Sequence, residues 1–551
     1  MKRRKAANGP LLWVVAVAIA GACATAADQE LSKTERNEIG RSAPAVPTES
    51  RPMHRQGIAE AVVAPATVMR MDAGHNTESY GHFVDNVFLS PDDNPLSTFS
   101  IDVDRASWAN VRRFIEQGTV PPIDAVRIEE LINYFPYSYE DPRDEQPFAV
   151  TTELARAPWA TQHLVLRIGL QAKRIPVESL PPSNLVLLVD VSGSMQSADK
   201  LPLLKQALGL LVDAMREEDR VAIVAYAGAA GLVLPSTGGD RKDEIMKAIH
   251  ALEAGGSTAG GEGLRLAYRV ARENFREAGN NRVILASDGD FNVGESSDAA
   301  MIRLIEEQRG DGIFLTVLGF GTGNLKDSKM EAIADHGNGN YAYIDGLAEA
   351  RKVLVHEMGG TLVAVAKDVK LQVEFNPAHV QAYRLIGYEN RLLAAEDFNN
   401  DAKDAGELGA GHTVTALYEI VPVGVRSGVE IRGVDSLRYT RPAVASNRRD
   451  GELGFVKLRF KQPASEQSQL LTRRIAHELA EPSIDFMFAS AVASFGMILR
   501  ESEQRGSATV EQVIALATDG MGQDEGGYRA AFVRVVEHFR ALTTNVAAAR
   551  N

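Results

Sequence analysis

The sequence predicts an α/β protein in which a doubly wound, mostly parallel sheet is inserted in or flanked by a β-sandwich, and a small α-helical subdomain follows. Between residues 183 and 360, continuous apolar runs such as "NLVLLVDV" and "NRVILASDG" alternate with amphipathic helices, as in a parallel sheet covered on both faces. The segments on either side of this region alternate apolar and polar residues, which is typical of half-buried antiparallel strands. Beyond residue 466 the apolar spacing becomes helical again.

The size and charge of the chain limit the classes of protein to which it can belong. At 551 residues the chain is too long for one hydrophobic core, and it accommodates several domains of about 150 residues each. Its composition, 45% hydrophobic and 24% charged, is that of an ordinary globular protein. The formal net charge of -14 argues against a nucleic-acid partner, because nucleic-acid-binding proteins present a basic face to the phosphates.

Residues 1–22 have the features of an export signal. A basic start, "MKRRK", precedes an apolar stretch that is too short to span a bilayer comfortably. Cys23, the only cysteine, follows directly in "AGAC", which resembles a bacterial lipobox. We therefore expect a lipid at Cys23 and an exported protein of the bacterial cell envelope that faces the periplasm. Two alternatives stay open: cleavage after Ala24 or Ala26, which would release the protein into the periplasm, and an uncleaved anchor.

Two units are predicted between the signal and the first long strands. Residues 23–80 are predicted to be a disordered tether, because the stretch from Asp28 to Ser79 contains no Phe, Trp or Tyr. Such a segment cannot bury enough apolar surface to offset the entropy of ordering it. Residues 81–146 are predicted to be an N-terminal helical extension, with helices in "ASWANVRRFIEQG" and "PPIDAVRIEELINYF".

Antiparallel strands are predicted in residues 147–182 and 365–463, on either side of the parallel-sheet region. "HLVLRIGLQ" in the first segment and "HTVTALYEIVPV" in the second show the same alternation. Because the ends of a compact inserted domain lie close together, we expect both segments to complete one β-sandwich. Two separate small β units are the alternative. The polar stretch "DAKDAGELGAG" between two strands is interpreted as a loop whose acidic side chains face solvent, with a calcium site as the alternative.

Residues 466–551 are predicted to be a helical C-terminal subdomain. The four predicted helices lie in "QLLTRRIAHELAE", "DFMFASAVASFGMILRES", "TVEQVIALATDGM" and "YRAAFVRVVEHFRAL". The second is apolar on most faces but shorter than a typical membrane span, so we expect a buried helix. A partner-binding groove is the alternative.

Oxygen-bearing side chains follow the strands of the parallel-sheet region where those strands end. Asp190, Ser192 and Ser194 follow the first strand, Thr258 lies in the glycine-rich loop "AGGSTAGGEG", and Asp288 follows "NRVILAS". The carboxyl ends of parallel strands meet at one edge of a sheet, which is the ligand-binding edge of such folds. Carboxylates and hydroxyls are hard ligands that suit Mg²⁺ or Mn²⁺ rather than zinc. The pattern therefore predicts a divalent-metal site at this edge.

Catalytic motifs are a weaker interpretation of the same region. Ser194 lacks the G-x-S-x-G context of a nucleophile elbow, and the S-x-x-K match that ends at Lys200 has no K-T-G after it. "DGDFNVGESSDA" departs from a calcium loop at Val293 and Ala299, so Asp290 is interpreted as a supporting loop residue. No histidine has zinc-ligand spacing, and no general base is evident, so we do not expect an enzyme.

The set Asp190, Ser192, Ser194, Thr258 and Asp288 closely resembles the metal-ion-dependent adhesion site of von Willebrand factor type A (VWA) domains. The resemblance implies that the two serines bind the metal directly and that the other three residues bind it directly or through water. It also implies an open coordination position that accepts a carboxylate from a partner. From about residue 83 the chain further resembles bacterial type A proteins that have an N-terminal extension and a distinctive C-terminal domain, as in "RLIGYENR" and "GAGHTVTALYEI".

The sequence therefore predicts a non-catalytic, metal-dependent adhesion or scaffold module whose partner is a protein presenting a carboxylate. A metal-dependent enzyme or enzyme subunit and a purely structural scaffold are the alternatives. In adhesion-type relatives, ligand binding moves a C-terminal helix, which here would be "LAEARKVLVHEM". A rigid site without such movement is the other possibility.

Overall fold

A computed structural model provides the structure and describes residues 77–101, 104–257, 260–289, 298–357, 363–432, 451–463 and 465–550. In chain order the strands are β1 (Phe88–Leu89), β2 (Leu96–Ser100), β3 (Phe148–Ala157), β4 (Ala160–Ala172), β5 (Ser183–Asp190), β6 (Arg220–Tyr226), β7 (Ala230–Gly238), β8 (Asn280–Ser287), β9 (Ile313–Phe320), β10 (Tyr341–Ile344), β11 (Ala364–Phe375), β12 (Val380–Ile386), β13 (Gly406–Gly409), β14 (Thr413–Pro422), β15 (Ile431–Arg432), β16 (Glu452–Lys461) and β17 (Ser468–Ala476). The α-helices are α1 (Ala106–Glu116), α2 (Ile128–Asn133), α3 (Leu201–Ala214), α4 (Lys242–His250), α5 (Gly260–Glu273), α6 (Asp298–Gly310), α7 (Asp327–His336), α8 (Leu347–Arg351), α9 (Ile484–Leu499), α10 (Val510–Asp519) and α11 (Tyr528–Arg550).

The central sheet has the strand order β10-β9-β8-β5-β6-β7 and is parallel except at β7. Every residue of β5 is buried, which explains its uninterrupted apolar sequence. Helices α5, α6 and α7 pack on one face, and α3, α4 and α8 pack on the other. The predicted doubly wound, mostly parallel sheet is confirmed.

The edge strand β7 was not predicted. It runs antiparallel to β6 and contains Pro235, a residue that sheets tolerate at their edges. Its side chains do not alternate regularly between buried and exposed positions, and both Leu232 and Val233 are exposed. A strand without alternation gives no periodic signal in the sequence.

Two largely antiparallel sheets form the sandwich, and β1 and β15 of the first sheet are paired in parallel. The first has the order β15-β1-β12-β14-β4-β3, and the second has the order β13-β11-β16-β17 with β2 paired to β11. β4 pairs with β14 from Gln171↔Thr413 to Leu164↔Ile420, so strands from before and after the central sheet share one sheet, as predicted. One apolar cluster contains Leu166 and Tyr418 from the first sheet together with Val373 and Val456 from the second. The two sheets therefore face each other across a common core.

Residues 468–476 form strand β17, so the helix predicted in "QLLTRRIAHELAE" is wrong. β17 pairs with β16 from Lys461↔Ser468 to Glu452↔Ala476. Leu471 and Ile475 pack against the sandwich core, whereas Leu470 is exposed. Residues four positions apart share a face in a strand as well as in a helix, and the apolar spacing therefore did not distinguish the two structures.

The stretch "DAKDAGELGAG" is only in part the solvent-facing loop that was predicted, because Asp404 is exposed whereas Glu407 is half-buried. Gly406–Gly409 is strand β13, which pairs with β11. A Cβ at Gly406 would lie 2.3 Å from the Ile101 carbonyl oxygen, so the close approach of the two backbones requires glycine there. The carboxylate of Glu407 accepts a hydrogen bond from Asn338 Nδ2 at 2.8 Å. That acidic side chain therefore contacts the domain that contains the central sheet.

The N-terminal extension and the C-terminal helices form one helical layer. Trp108 of α1 contacts Phe532 of α11, with ring centroids 5.4 Å apart, and Phe135 contacts Phe488 of α9 at 5.0 Å. α9 is buried along most of its length, as predicted. Among the described helices, none is both long and apolar enough to cross a bilayer.

Candidate functional site

The end of β5 brings Asp190, Ser192 and Ser194 together. Asp190 is the last residue of the strand, and its Oδ1 accepts a hydrogen bond from the Ser192 amide at 2.9 Å. A 3-10 turn over Gly193–Gln196 then folds the chain back, so that the hydroxyls of Ser192 and Ser194 lie 3.0 Å apart. Asp190 and Ser192 are buried, while Ser194 is half-buried. The predicted cluster of one carboxylate and two hydroxyls is therefore present.

Strands β6 and β8 complete the surroundings of Asp190. Its Oδ2 accepts hydrogen bonds from the hydroxyls of Tyr226 and Ser287, both at 3.1 Å. Burial raises the pKa of Asp190, hydrogen bonds from Ser192 and Ser287 oppose this rise, and the negative charge of Asp288 adds to it. A buried carboxylate whose pKa is raised by burial and by a neighbouring negative charge is a group that a bound cation would stabilise.

Asp288 follows the last residue of β8 and is buried. Its Oδ2 accepts hydrogen bonds from Lys200 Nζ at 2.8 Å and from Asn324 Nδ2 at 3.3 Å. Val189 of β5 is paired with Ala286 of β8, which places the strand ends that carry Asp190 and Asp288 side by side. The structure therefore joins the two predicted carboxylates at one edge of the sheet.

Sequence reasoning missed the hydrogen-bonding residues around the carboxylates, namely Lys200, Tyr226, Ser287 and Asn324. Lys200 was considered only as the end of an S-x-x-K match. It occupies the N-cap position of α3, where a positive charge opposes the helix dipole. That unfavourable position is the sequence signal that could have identified Lys200 as the partner of an acidic group.

Close backbone contacts shape the loops around the site. The Gly193 amide donates to the Gly256 carbonyl at 3.0 Å, and the Gly255 amide donates to the Val191 carbonyl at 2.7 Å. Gly289 has φ +101°, and a Cβ there would lie 2.7 Å from the Lys326 amide nitrogen. The loop that leads to residue 258 is therefore held against the serine turn. Thr258, Asp290 and Cys23 lie outside the described residues.

A short N-terminal strap, residues 77–80, packs beside the site, although the predicted tether extended to residue 80. The Ser79 amide donates to the Leu325 carbonyl at 3.0 Å, and the Gly323 amide donates to Glu78 Oε1 at 2.8 Å. Glu78 is also paired with Arg113 of α1 at 3.0 Å. The predicted end of the tether is therefore wrong. Polar contacts hold the strap in place, and the lack of aromatic residues up to Ser79 gave no indication of these contacts.

The donor set suits a hard divalent cation. Asp190 and Asp288 supply carboxylates and Ser192 and Ser194 supply hydroxyls, which are the oxygen ligands that Mg²⁺ accepts. In the part of the chain that the structure describes, no three His, Cys, Asp or Glu side chains are grouped so that they could hold a metal by themselves. The residues therefore fit Mg²⁺ or Mn²⁺ with water and hydroxyl ligands better than they fit zinc.

Three family models match the chain. The model described as von Willebrand factor covers residues 74–167, and the von Willebrand factor type A domain model covers residues 184–354. A third, described as "Uncharacterized protein YfbK, C-terminal", covers residues 360–542. The type A match spans the central sheet from β5 to α8 and the turn that follows it.

Similar proteins include YfbK of Escherichia coli (strain K12), which is 46% identical over 474 residues, covering 84% of this chain and 81% of YfbK. The protein sll0103 of Synechocystis sp. is 24% identical over 372 residues, covering 64% of this chain and 83% of that protein. Among solved structures, a von Willebrand factor type A protein from Catenulispora acidiphila is 17% identical. It covers 70% of this chain and 89% of that chain with a TM-score of 0.39.

Proposed function

Because the chain belongs to the YfbK family of VWA-domain proteins, we propose that it is a non-catalytic, divalent-metal-dependent protein-binding module of the bacterial cell envelope. VWA domains are typically protein-interaction or adhesion modules. The observation that carries the proposal is the pair of buried carboxylates, Asp190 and Asp288, beside the hydroxyls of Ser192 and Ser194.

The proposed metal is Mg²⁺ or Mn²⁺, held by Asp190, Ser192, Ser194, Asp288 and Thr258. Once bound, the ion supplies a positive charge that can coordinate a carboxylate of a protein partner. Ser194 is half-buried, whereas Asp190 and Asp288 are fully buried, so the serine side is the more accessible approach to the ion. A partner glutamate or aspartate that approaches from this side would lose hydration. The attraction between its carboxylate and the metal ion would offset the free-energy cost of that loss.

The proposed location is the envelope, with a lipid on Cys23 and the folded body facing the periplasm. The support is the sequence of residues 1–22 and the position of the only cysteine. Globomycin, which blocks processing of lipoprotein precursors, tests this directly. Accumulation of the precursor, abolished in Cys23→Ser, supports lipidation, whereas unchanged processing contradicts it.

Affinity capture from envelope extracts tests the binding proposal. The bait is the wild-type protein in Mg²⁺ or in EDTA, together with the Ser194→Ala variant and the control variant Asp213→Ala. Ser194→Ala removes one proposed ligand and leaves the ion pair between Lys200 and Asp288 in place, so the fold should persist. Asp213 is an exposed acidic residue of α3 in the same domain.

We expect a partner that is captured by wild type and by Asp213→Ala in Mg²⁺, and that is lost in EDTA and with Ser194→Ala. A partner retained under all four conditions would favour a structural scaffold in place of the metal-dependent module. Metal-dependent turnover of a substrate by the purified protein would favour the enzyme alternative.

A further inference from the structure

A cavity of about 330 Å³ lies away from the candidate metal site, at the meeting point of four parts of the fold. Arg105, directly before α1, lines one side, and Lys352 and Glu357, which follow α8, line another. His412, directly before β14, and Tyr528, the first residue of α11, close it from the sandwich and from the helical layer. The volume is within the usual range for small-molecule sites.

Two cations and one carboxylate, Arg105, Lys352 and Glu357, line the inner part of the cavity. Arg105 and Lys352 both form ion pairs with Glu357 Oε1. Burial alone would raise the pKa of Glu357, but the two cations lower it to about 2, so the carboxylate stays ionised at neutral pH. Glu349, which is buried, also acts on Lys352, so the two cations interact with more than one carboxylate. Arg105 and Lys352 nevertheless present N–H donors at the cavity wall. The outer residues Arg174 and Glu525 are exposed and of opposite charge.

His412 supplies an unused hydrogen-bonding group on the cavity wall. It is only 6% exposed, and neither of its ring nitrogens has a hydrogen-bond partner among the described residues. Burial, followed by the charge of Arg105, lowers its pKa to about 3, which keeps the ring neutral. A neutral imidazole carries one N–H donor. Buried polar groups in folded proteins are normally paired, so a ligand or water is needed here.

Aromatic side chains form much of the remaining wall. Tyr134, Phe135 and Tyr528 line the cavity, and Lys352 Nζ lies 4.1 Å from the centre of the Tyr134 ring. Such walls accept the apolar body of an organic molecule, while the charged groups fix its orientation.

We propose that this cavity is a binding site for a small organic carboxylate, whose acid group faces Arg105 and Lys352 and accepts the N–H of His412. The ligand would contact the N-terminal helix, the end of the VWA domain, the sandwich and α11 at once. Binding therefore stabilises the folded protein in proportion to ligand concentration. The site is independent of the proposed metal, since none of the proposed metal ligands lines it.

Titration calorimetry on the purified full-length protein, in EDTA, tests the proposal with three probes: benzoate, the neutral analogue benzamide, and inorganic phosphate. The variants are Lys352→Met and His412→Phe, with the partly exposed Lys205→Met as the matched control. Thermal unfolding of each variant checks the fold. A second measurement uses the wild type alone. The ¹⁵N NMR signals of the His412 ring are followed while benzoate or benzamide is added.

We expect saturable benzoate binding, at least tenfold weaker with Lys352→Met, weaker with His412→Phe and unchanged with Lys205→Met. The His412 ring signals should shift with benzoate and not with benzamide. Absence of benzoate binding, with the ring signals unmoved, would overturn the proposal and leave water as the occupant. Equal affinity for benzamide, or preference for phosphate, would also overturn it, because the recognised feature would then not be a carboxylate.

Discussion

Lys200 is the residue that links the stability of the fold to the proposed metal site. Its ammonium group lies 2.8 Å from Asp288 Oδ2, and both side chains are almost fully buried. The same positive charge that stabilises Asp288 without a metal must repel a divalent cation that uses this carboxylate. Lys200 is therefore expected to stabilise the metal-free protein and to weaken metal binding.

The variant Lys200→Met separates these two effects. In EDTA we expect the free energy of unfolding to fall by about 3–5 kcal/mol, because a buried charge loses its partner. Mg²⁺ should then raise the free energy of unfolding more in this variant than in wild type. Urea unfolding in EDTA and in Mg²⁺ measures both changes, with the partly exposed Lys205→Met as the control. An equal Mg²⁺ effect in wild type and variant would show that Lys200 does not influence the metal.

Glu407 gives the free energy of unfolding a dependence on pH. Burial, together with the charges of Asp368 and Asp404, raises its pKa to about 8 from the ordinary value of 4.5. Between these values the folded protein holds a proton on Glu407 that the unfolded chain has released. The contribution of Glu407 to the free energy of unfolding is therefore largest below about pH 4.5, and it decreases as the pH rises to 8.

The variant Glu407→Gln has no titrating group at this position, and its amide still accepts the hydrogen bond from Asn338. We expect the urea midpoint to fall less between pH 5 and pH 8 in the variant than in wild type. The exposed Glu116→Ala serves as the control and should follow wild type. Parallel pH profiles for wild type and Glu407→Gln would refute this assignment.

The part of the candidate metal site that could be predicted from the sequence consists of residues at or just beyond the ends of buried parallel strands. Asp190, Ser192, Ser194 and Asp288 were found because a buried parallel strand delivers the residues after it to a known edge of the sheet. Lys200 and Asn324 reach Asp288 from segments that the strand pattern does not connect to it. Such long-range partners depend on the packing of loops, which periodicity does not describe.

Regular buried helices and strands were predictable from the sequence, whereas the irregular edge strands β7, β13 and β17 were not. β5 and α9 have continuous apolar sequences that agree with their burial. β7, β13 and β17 acquire their structure from pairing with a neighbouring strand, although their own sequences are irregular or equally compatible with a helix. Tertiary pairing overrides local preference in such short segments.

The helix proposed to move on ligand binding is short and firmly anchored. α8 ends at Arg351, and a π turn over Lys352–His356 continues it. Arg112 of α1 forms ion pairs with Asp345 at 2.6 Å and with Glu349 at 2.8 Å. These contacts tie the helix to the N-terminal extension, and they favour the rigid alternative over a metal-linked switch.

Hydrogen exchange distinguishes the two alternatives. We expect equal protection of residues 347–357 in Mg²⁺ and in EDTA, while the loops that carry Asp190 and Asp288 become more protected in Mg²⁺. The variant Arg112→Ala should raise exchange in the same helix, which shows that the measurement detects loosening there. A Mg²⁺-dependent change in residues 347–357 of the wild type would instead support a switch.

Across the whole molecule, segments that are far apart in the sequence pair or pack with each other. β4 pairs with β14 across the inserted domain, and α1 packs with α11 across most of the sequence. Phe532 lies at the centre of this helical layer, fully buried against Trp108 and Phe135. The sequence pattern predicted the separate helices, but not that the first and last ones share a core.

Removal of the Phe532 ring should destabilise the whole described body. We expect Phe532→Ala to lower the free energy of unfolding by about 3–5 kcal/mol, because a large cavity replaces the ring. Val120→Ala, at a position that is 54% exposed, should change it by less than about 0.5 kcal/mol. Urea unfolding measures both values. A small effect of Phe532→Ala would mean that the helical layer does not limit the stability of the body.

The proposal that the edge of the central sheet binds a divalent cation is tested by titration calorimetry of the metal-free protein with Mg²⁺ and with Mn²⁺. We expect one saturable site in wild type and in Asp213→Ala, with binding at least tenfold weaker in Ser194→Ala and absent in Asp288→Ala. Absence of saturable binding in wild type, or equal affinity in wild type and Ser194→Ala, would contradict it.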